Sequence, residues 1–347
     1  MENHSAYYTF FDVNTEFRTN CPSVLEEYDK HFGYFKVTSR PDYIHVHNCI
    51  TQRNKKYFVK SESKRYSASC TVEGCLHADN LLSLFNPVIH EVKDFFLLHG
   101  SSLCSMSGKH VIISAPSGFG KTTIAKELTK NGFLFLSDEL APLNLNTGLI
   151  HPYPRGMSVR MNGDKLISTI PADIIGKACN PAFAILLSLE KISDNNRYFE
   201  IALSRIDDNI ISAFKQLKQT PTIELLHDRI FPVIRMLVQD DAELSYDIER
   251  LCKLFNVSII YMQRGRTEPP DFNAEPRLEE VSQKDGIFEL SNNLLNAHNS
   301  ALIDESFSGS TPKMIFELAG LTQNVKYFTL TVGKLDKMAE RIKKVAQ

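Results

Sequence analysis

No apolar run in this 347-residue chain is long enough to cross a bilayer; stretches such as "AFAILLSL" at residues 182–189 stop well short of the roughly 20 residues a membrane helix needs. Charge of one sign is not in excess either: 39 Lys and Arg stand against 41 Asp and Glu, a formal net charge of −2. Without a global basic field, neither nucleic acid nor a membrane is an expected partner. Cysteine is present but unpatterned. Of Cys21, Cys49, Cys70, Cys75, Cys104, Cys179 and Cys252, only Cys70 and Cys75 are close together. They have no matching His or Cys pair downstream, so no zinc motif is indicated. His45 and His47 alternate on one strand face and lack a third ligand. The opening "MENHSAYYTFFDVN" has no basic start followed by an apolar run, so no signal peptide is expected. Reduced thiols and a cytoplasmic location follow as expectations. Repeats and low-complexity tracts are also missing.

What is there is ordinary globular composition, 43% hydrophobic and 23% charged, in a chain long enough for two or three units. Residues 1–80 are expected to form a small α+β unit. The β-like runs "YYTFFDV", "YIHVHNCI" and "KKYFVK" surround a helix at "PSVLEEYDKHF", where Pro22 suits the first helical position. Residues 81–264 are expected to form the main domain. There "LLHGSSLCSMSGKHVIISA" reads as a hairpin turning at "MSGK". A helix over Lys121–Lys130 is closed by Asn131-Gly132. "FLFLSDEL" is a short buried strand, and "NPAFAILLSLEKI" is another with "RYFEIALSRI" beside it. A helical stretch then runs from "NIISAFKQLK" through "ELLHDRIFPVIRMLVQDDAELSYDIERLCKLFN" to the strand "VSIIYMQRG". Residues 265–347 read as a linker over 265–285, short segments, and a strand-turn-helix finish.

The chemistry centres on "ISAPSGFGKTTIAKEL", residues 113–128. A phosphate chain is held well by successive backbone N–H groups at a helix N-terminus, where the macrodipole adds favourable potential. Glycines let the backbone wrap that closely. Ser117, Gly118, Phe119, Gly120, Lys121, Thr122 and Thr123 form the candidate nucleotide-binding set, with Lys121 on the β- and γ-phosphates and the Thr122 hydroxyl on Mg²⁺. The general motif opens on Gly where this chain has Ala115, while the closing Gly-Lys-Thr is intact. A mere surface turn before a helix is the plainer alternative.

Phosphate binding does not name a reaction. Asp138 and Glu139 end an apolar strand 17 residues after Lys121. A β-α-β crossover would bring that strand's end to the edge of the sheet carrying the loop. A carboxylate there can hold Mg²⁺ or take a proton from an incoming hydroxyl. Asp138 capping a turn and Glu139 facing solvent remain the plainer alternatives. Arg155 and Arg160 could clamp a phosphate or make surface ion pairs. His99 is either part of the site or a buried core histidine. Arg264 and Arg266 read as a solvated turn.

Taken in order, "LLHGSSL", "APSGFGKT", "GFLFLSDELAPL" and "HPYPRGMSVR" resemble segments of the HPr kinase/phosphorylase family and its related proteins, over about residues 95–160. The resemblance implies an α/β (α+β) fold with a PEP-carboxykinase-like, HPr-kinase-like nucleotide-binding core built on a mixed sheet. It implies an ATP- and Mg²⁺-dependent kinase that phosphorylates a serine of a peptide or protein. Asp138 would be the base for the serine hydroxyl, and His99 would lie near the phosphates. Arg155, in the Pro-Arg segment, would join them. Glu139 stands where the family has a second Asp, with a metal role beside Thr122 or a structural one. Related members act on precursors of ribosomally made peptides, such as lasso-peptide precursors, which gives a candidate role. Self-association stays open. The alternative from another class is a nucleotide-binding regulatory protein that hydrolyses slowly or not at all.

Overall fold

The structure is a computed structural model that describes residues 4–64, 67–74, 76, 78–115, 118–161, 164–168, 170–188, 197–203, 205–217, 222–226, 232–238, 244–257, 259–266, 270–296 and 311–346. The chain opens with β1 (His4–Phe10), β2 (Val13–Thr19), α1 (Pro22–Phe32), β3 (Lys36–Val37), β4 (Val46–Arg53), β5 (Lys56–Ser63), β6 (Ser67–Glu73), α2 (Ala78–Ser83) and α3 (Asn86–Glu91). Next come β7 (Phe95–Leu98), β8 (Gly100–Cys104), β9 (His110–Ser114), α4 (Lys121–Lys130), β10 (Leu134–Ser137), β11 (Ala141–Asn144), β12 (Met157–Met161), β13 (Asp164–Ser168) and β14 (Pro181–Ser188). The rest of the chain holds β15 (Arg197–Leu203), α5 (Asp208–Lys215), β16 (Thr222–Leu226), β17 (Val233–Val238), α6 (Leu244–Leu254), β18 (Ile259–Arg266), β19 (Leu278–Val281), α7 (Gln283–Ser291), α8 (Thr311–Leu321), β20 (Lys326–Thr331) and α9 (Leu335–Ala346).

Internal contacts divide the chain into two compact units, Met1–Lys93 with Asp194–Thr267 and Asp94–Ser193 with Glu268–Gln347. This grouping differs from three consecutive pieces broken at 80/81 and 264/265. The reason is strand pairing between residues remote in sequence: β20 joins β14 in a parallel ladder, so the C-terminal strand belongs to the sheet of the glycine loop.

In the first unit, one sheet has the order β3-β1-β2-β4-β5-β6. Alternation along β1 and β2 puts Tyr8, Phe10 and Phe17 on one face, where α1 covers them. Tyr28 of α1 stacks on Phe17 with ring centroids 4.3 Å apart. A separate sheet, β16-β17-β15-β18, buries Phe199, Ile201, Ile234 and Met236 against Phe214 of α5 and Ile248 of α6.

Two expectations fail in this second sheet. Residues 222–226 and 233–238 are strands instead of helix, because "TIELL" and "VIRMLV" alternate across an antiparallel pair. The strand β15 pairs with β17 and β18, not with β14.

The second unit is built on the order β10-β8-β9-β14-β20-β19. Its pairings are mixed: β9, β14 and β20 are mutually parallel, while β8 is antiparallel to both β9 and β10. It follows that β9, β10, β14 and β20 all end at one edge. One face buries Val111, Ile113 and Ile185 under Ile124 and Leu128 of α4 and Met338 and Ile342 of α9. The other buries Ile112, Ala184 and Leu186 under Ile287 and Leu290 of α7 and Leu318 of α8. The expected hairpin at "MSGK" is β8–β9, and the expected helix is α4 itself. Part of the expected linker is structured, since β19 and the start of α7 fall within 265–285. Among the described residues no helix is long and apolar enough to cross a membrane.

Candidate functional site

The candidate site residues of the second unit gather at the edge where β9 and β10 end. β9 leads through Ala115 into the loop; Pro116 and Ser117 lie outside the described residues. Gly118 and Gly120 have φ of 89° and 84°, left-handed values that a side chain rarely adopts. Phe119 is buried in the core beneath, which anchors the loop between them. α4 then starts at Lys121 with no acidic residue in its first turn and no side-chain cap, so its first N–H groups are oriented for an anion. Thr123 is exposed on that turn.

Lys121 is buried, and its Nζ donates to Ala115 O at 2.8 Å. Burial pulls its pKa down to about 8, against the upward pull of Glu139 and Asp138. A lysine folded back on its own loop is in reach of whatever the loop cradles.

Asp138 and Glu139 follow directly on β10. They are not on a strand adjoining β9, because β8 runs between. That intervening strand contributes to the site. Ser101 of β8 donates to the Asp138 backbone oxygen at 2.8 Å and lies 3.1 Å from its Oδ1. The other carboxylate oxygen, Oδ2, accepts from Thr122 Oγ1 at 2.9 Å. Asp138 is therefore a buried carboxylate clasped by two hydroxyls. Burial first, then the charge of Glu139, raises its pKa to about 6.

Glu139 faces a different set. Its Oε2 is 3.7 Å from His99 Nε2 and its Oε1 is 3.4 Å from Arg155 Nη2. Burial alone would raise its pKa. The interaction with His99 and the charges of Arg155, His99 and Lys121 outweigh that and hold the carboxyl well below the usual range. His99 is buried just before β8, its backbone N–H given to Asn293 O at 2.7 Å. Burial, then the charge of Lys121, lowers its pKa.

Arg155 reaches the site because Tyr153 lies parallel beside Ser137, extending the sheet past β10. The Tyr153 N–H donates to Leu136 O at 2.8 Å. The Arg155 side chain is only 13% exposed, and its buried Nε has no hydrogen-bond partner among the described residues. A planar guanidinium placed beside the two carboxylates can also take an added anion.

The structure thus brings together Lys121, Thr122, Asp138, Glu139, His99 and Arg155. It places Thr122 on Asp138 rather than on Glu139. The strand β12 contains Arg160, whose side chain is outside the described residues, as are those of Arg264 and Arg266. His45 and His47 have separate partners, Asn14 N–H and Glu16. Cys75 is outside the described residues. Two residues escaped sequence reasoning. Ser101 shows only as a hydroxyl two places after His99; Phe272, whose ring touches Gly120, lies 152 residues beyond it and leaves no local signal.

The donor set fits Mg²⁺. Among the described residues no three His, Cys, Asp or Glu side chains cluster as a metal cage. Mg²⁺ needs no such cage: it takes one or two protein oxygens and completes its octahedron with phosphates and water. Adjacent ligands of that octahedron lie about 3 Å apart, and Thr122 Oγ1 and Asp138 Oδ2 are 2.9 Å apart.

No family model matches this chain, and no curated protein matches it. Among solved structures, the Hpr(Ser) kinase/phosphatase from Coxiella burnetii is similar at 15% identity, over 46% of this chain and 95% of that one, with a TM-score of 0.24. A likeness that slight decides nothing about activity.

Proposed function

We propose that this chain is an ATP-dependent phosphotransferase that moves the γ-phosphoryl group to a serine hydroxyl of a peptide or protein. The observation that carries the reading is the Thr122–Asp138 contact at the N-terminus of a helix that follows a glycine loop. The Gly118–Thr123 backbone would bind the phosphate chain, and Lys121 would neutralise it. Thr122 and Asp138 Oδ2 would hold Mg²⁺, which supplies charge neutralisation on the phosphate oxygens.

Asp138 Oδ1 is the proton acceptor of this proposal. Its raised pKa keeps the carboxylate basic enough to accept a hydroxyl proton while leaving it ionised at neutral pH. Glu139 stays ionised and orients Arg155, whose guanidinium would meet charge on the transferred group. The mixed sheet with its loop at a common edge supports the HPr-kinase-like expectation, and a precursor of a ribosomally made peptide is the proposed class of acceptor.

The test uses γ-labelled ATP, the intact chain, and serine-containing peptides encoded near its gene. Label should appear on a serine with the native chain, while Asp138→Asn should bind ATP and transfer none. If Asp138→Asn transfers or functions as well as the native chain, the kinase reading fails and a nucleotide-binding regulator takes its place.

A further inference from the structure

We infer that Phe272 is the platform on which the nucleobase of the bound nucleoside triphosphate stacks, an inference that rests on the phosphate-binding reading of the glycine loop. The sheet supplies the direction. In the order β10-β8-β9-β14-β20, the carboxylates Asp138 and Glu139 stand on the β10 side of the loop. A triphosphate that points its terminal phosphoryl group at them has to lead its nucleoside the other way, toward β14 and β20.

On that side the chain entering β19 crosses the same edge. Leu278 opposes Leu330 near the end of β20, so the residues just before 278 lie there. They are firmly held. Lys334 N–H donates to Ala274 O at 2.9 Å, and Arg277 and Thr331 bond each other, Arg277 N–H to Thr331 Oγ1 at 2.6 Å and Thr331 N–H to Arg277 O at 2.9 Å. A Cβ on Gly333 would collide with Ala274 O, which shows how closely the two segments lie. Asp271 Oδ1 accepts from the Asn273 N–H at 2.9 Å, a tight turn with Phe272 at its tip.

The Phe272 ring lies against Gly120, with Cε1 3.1 Å and Cζ 3.6 Å from where a Cβ would stand. It is nevertheless 41% exposed. One part of the ring is spent on the phosphate loop and the rest is presented to solvent beside it. A single exposed phenylalanine needs no explanation. One fixed in a braced turn, touching the phosphate loop on the side where the nucleoside must leave, is a preorganised stacking surface, and stacking on an aromatic accepts any base.

The experiment is equilibrium binding of Mg-ATP and of Mg-tripolyphosphate to the intact chain and to Phe272→Ala, Phe272→Leu and Phe272→Trp, with thermal unfolding to confirm that each folds. Phe272→Ala and Phe272→Leu should weaken ATP about tenfold, Phe272→Trp should keep it, and tripolyphosphate should bind all four alike. Unchanged ATP affinity in Phe272→Ala overturns the inference. So does an equal loss of both ligands in Phe272→Ala that Phe272→Leu restores, because the ring would then merely support Gly120. If the native chain binds neither ligand and Lys121→Ala changes nothing, the phosphate-binding reading itself has failed and takes the inference with it.

Discussion

Thr122 Oγ1 donates to Asp138 Oδ2 at 2.9 Å although one residue lies in the first turn of α4 and the other follows β10, with β8 running between the strands that lead to them. Both strands end at the same edge, so two residues 16 positions apart meet beyond it. The contact makes the first prediction specific. Thr122→Val keeps the side-chain volume and removes the oxygen. ATP binding to the variant should lose most of its dependence on Mg²⁺, and the unfolding temperature should fall somewhat, because the buried Asp138 carboxylate loses a donor. Titration of ATP with and without Mg²⁺ reads this directly, and an undiminished Mg²⁺ effect removes Thr122 from the metal site.

Asp138 also links the site to folding. Its folded pKa, about 6, lies above the unfolded value of 3.8, so the fold favours the protonated form. Stability from this group is therefore greatest below 3.8 and falls as pH rises through about 6. The full cost above that is on the order of 3 kcal/mol. Asp138→Asn resembles the protonated acid, so it should unfold at a higher temperature than the native chain at pH 8, with the gap shrunk to about half at pH 5. Glu139 has the opposite shift, and its contribution is lost only in more acid solution. Melting curves at the two pH values decide the matter, and a gap independent of pH contradicts the buried-charge account.

How much of this was legible beforehand depends on how local the cause is. Helix α4, the β8–β9 hairpin and α1 were readable because glycines, Pro22 and apolar spacing act over a few residues. Residues 222–238 were not, because short apolar runs such as "VIRMLV" fit a helix face as well as a strand until a partner strand is known. The site divides the same way. Lys121, Thr122 and the two carboxylates were visible as a motif and a spacing. Ser101 and Phe272 gain their meaning only from neighbours that a sheet brings to them: β8 inserted beside β10, and β19 folded back on β20.

Gly100 tests whether that insertion matters. It opens β8 opposite Ser114, and a Cβ there would sit 2.8 Å from Ile113 O, a backbone atom that cannot step aside. Gly100→Ala should cost about 1–3 kcal/mol and lower transfer as well, because His99 and Ser101 flank it. Gly33→Ala is the control: nothing lies within 4 Å of its added methyl, and its φ of −57° is open to alanine. That change should be neutral or slightly stabilising. Chemical denaturation of both variants checks the pair, and equal stabilities would mean that β8 and β9 can separate freely.

Arg155 carries the last prediction. Its guanidinium is held 3.4 Å from Glu139, at the same edge as Lys121 and Asp138. If it meets charge that develops on the transferred phosphoryl group, its loss falls on the rate and not on ground-state ATP. Arg155→Met should then lower kcat about a hundredfold with little change in KM for ATP. Arg155→Lys should recover only part of it, because an ammonium keeps the charge without the planar fork. Either substitution also removes a charge or geometry that holds Glu139 ionised, which should lift the Glu139 pKa. Steady-state kinetics of the three proteins separate the two parameters. A rise in KM alone would make Arg155 a binding residue for ATP, and full activity in Arg155→Lys would show that its charge is all the site uses.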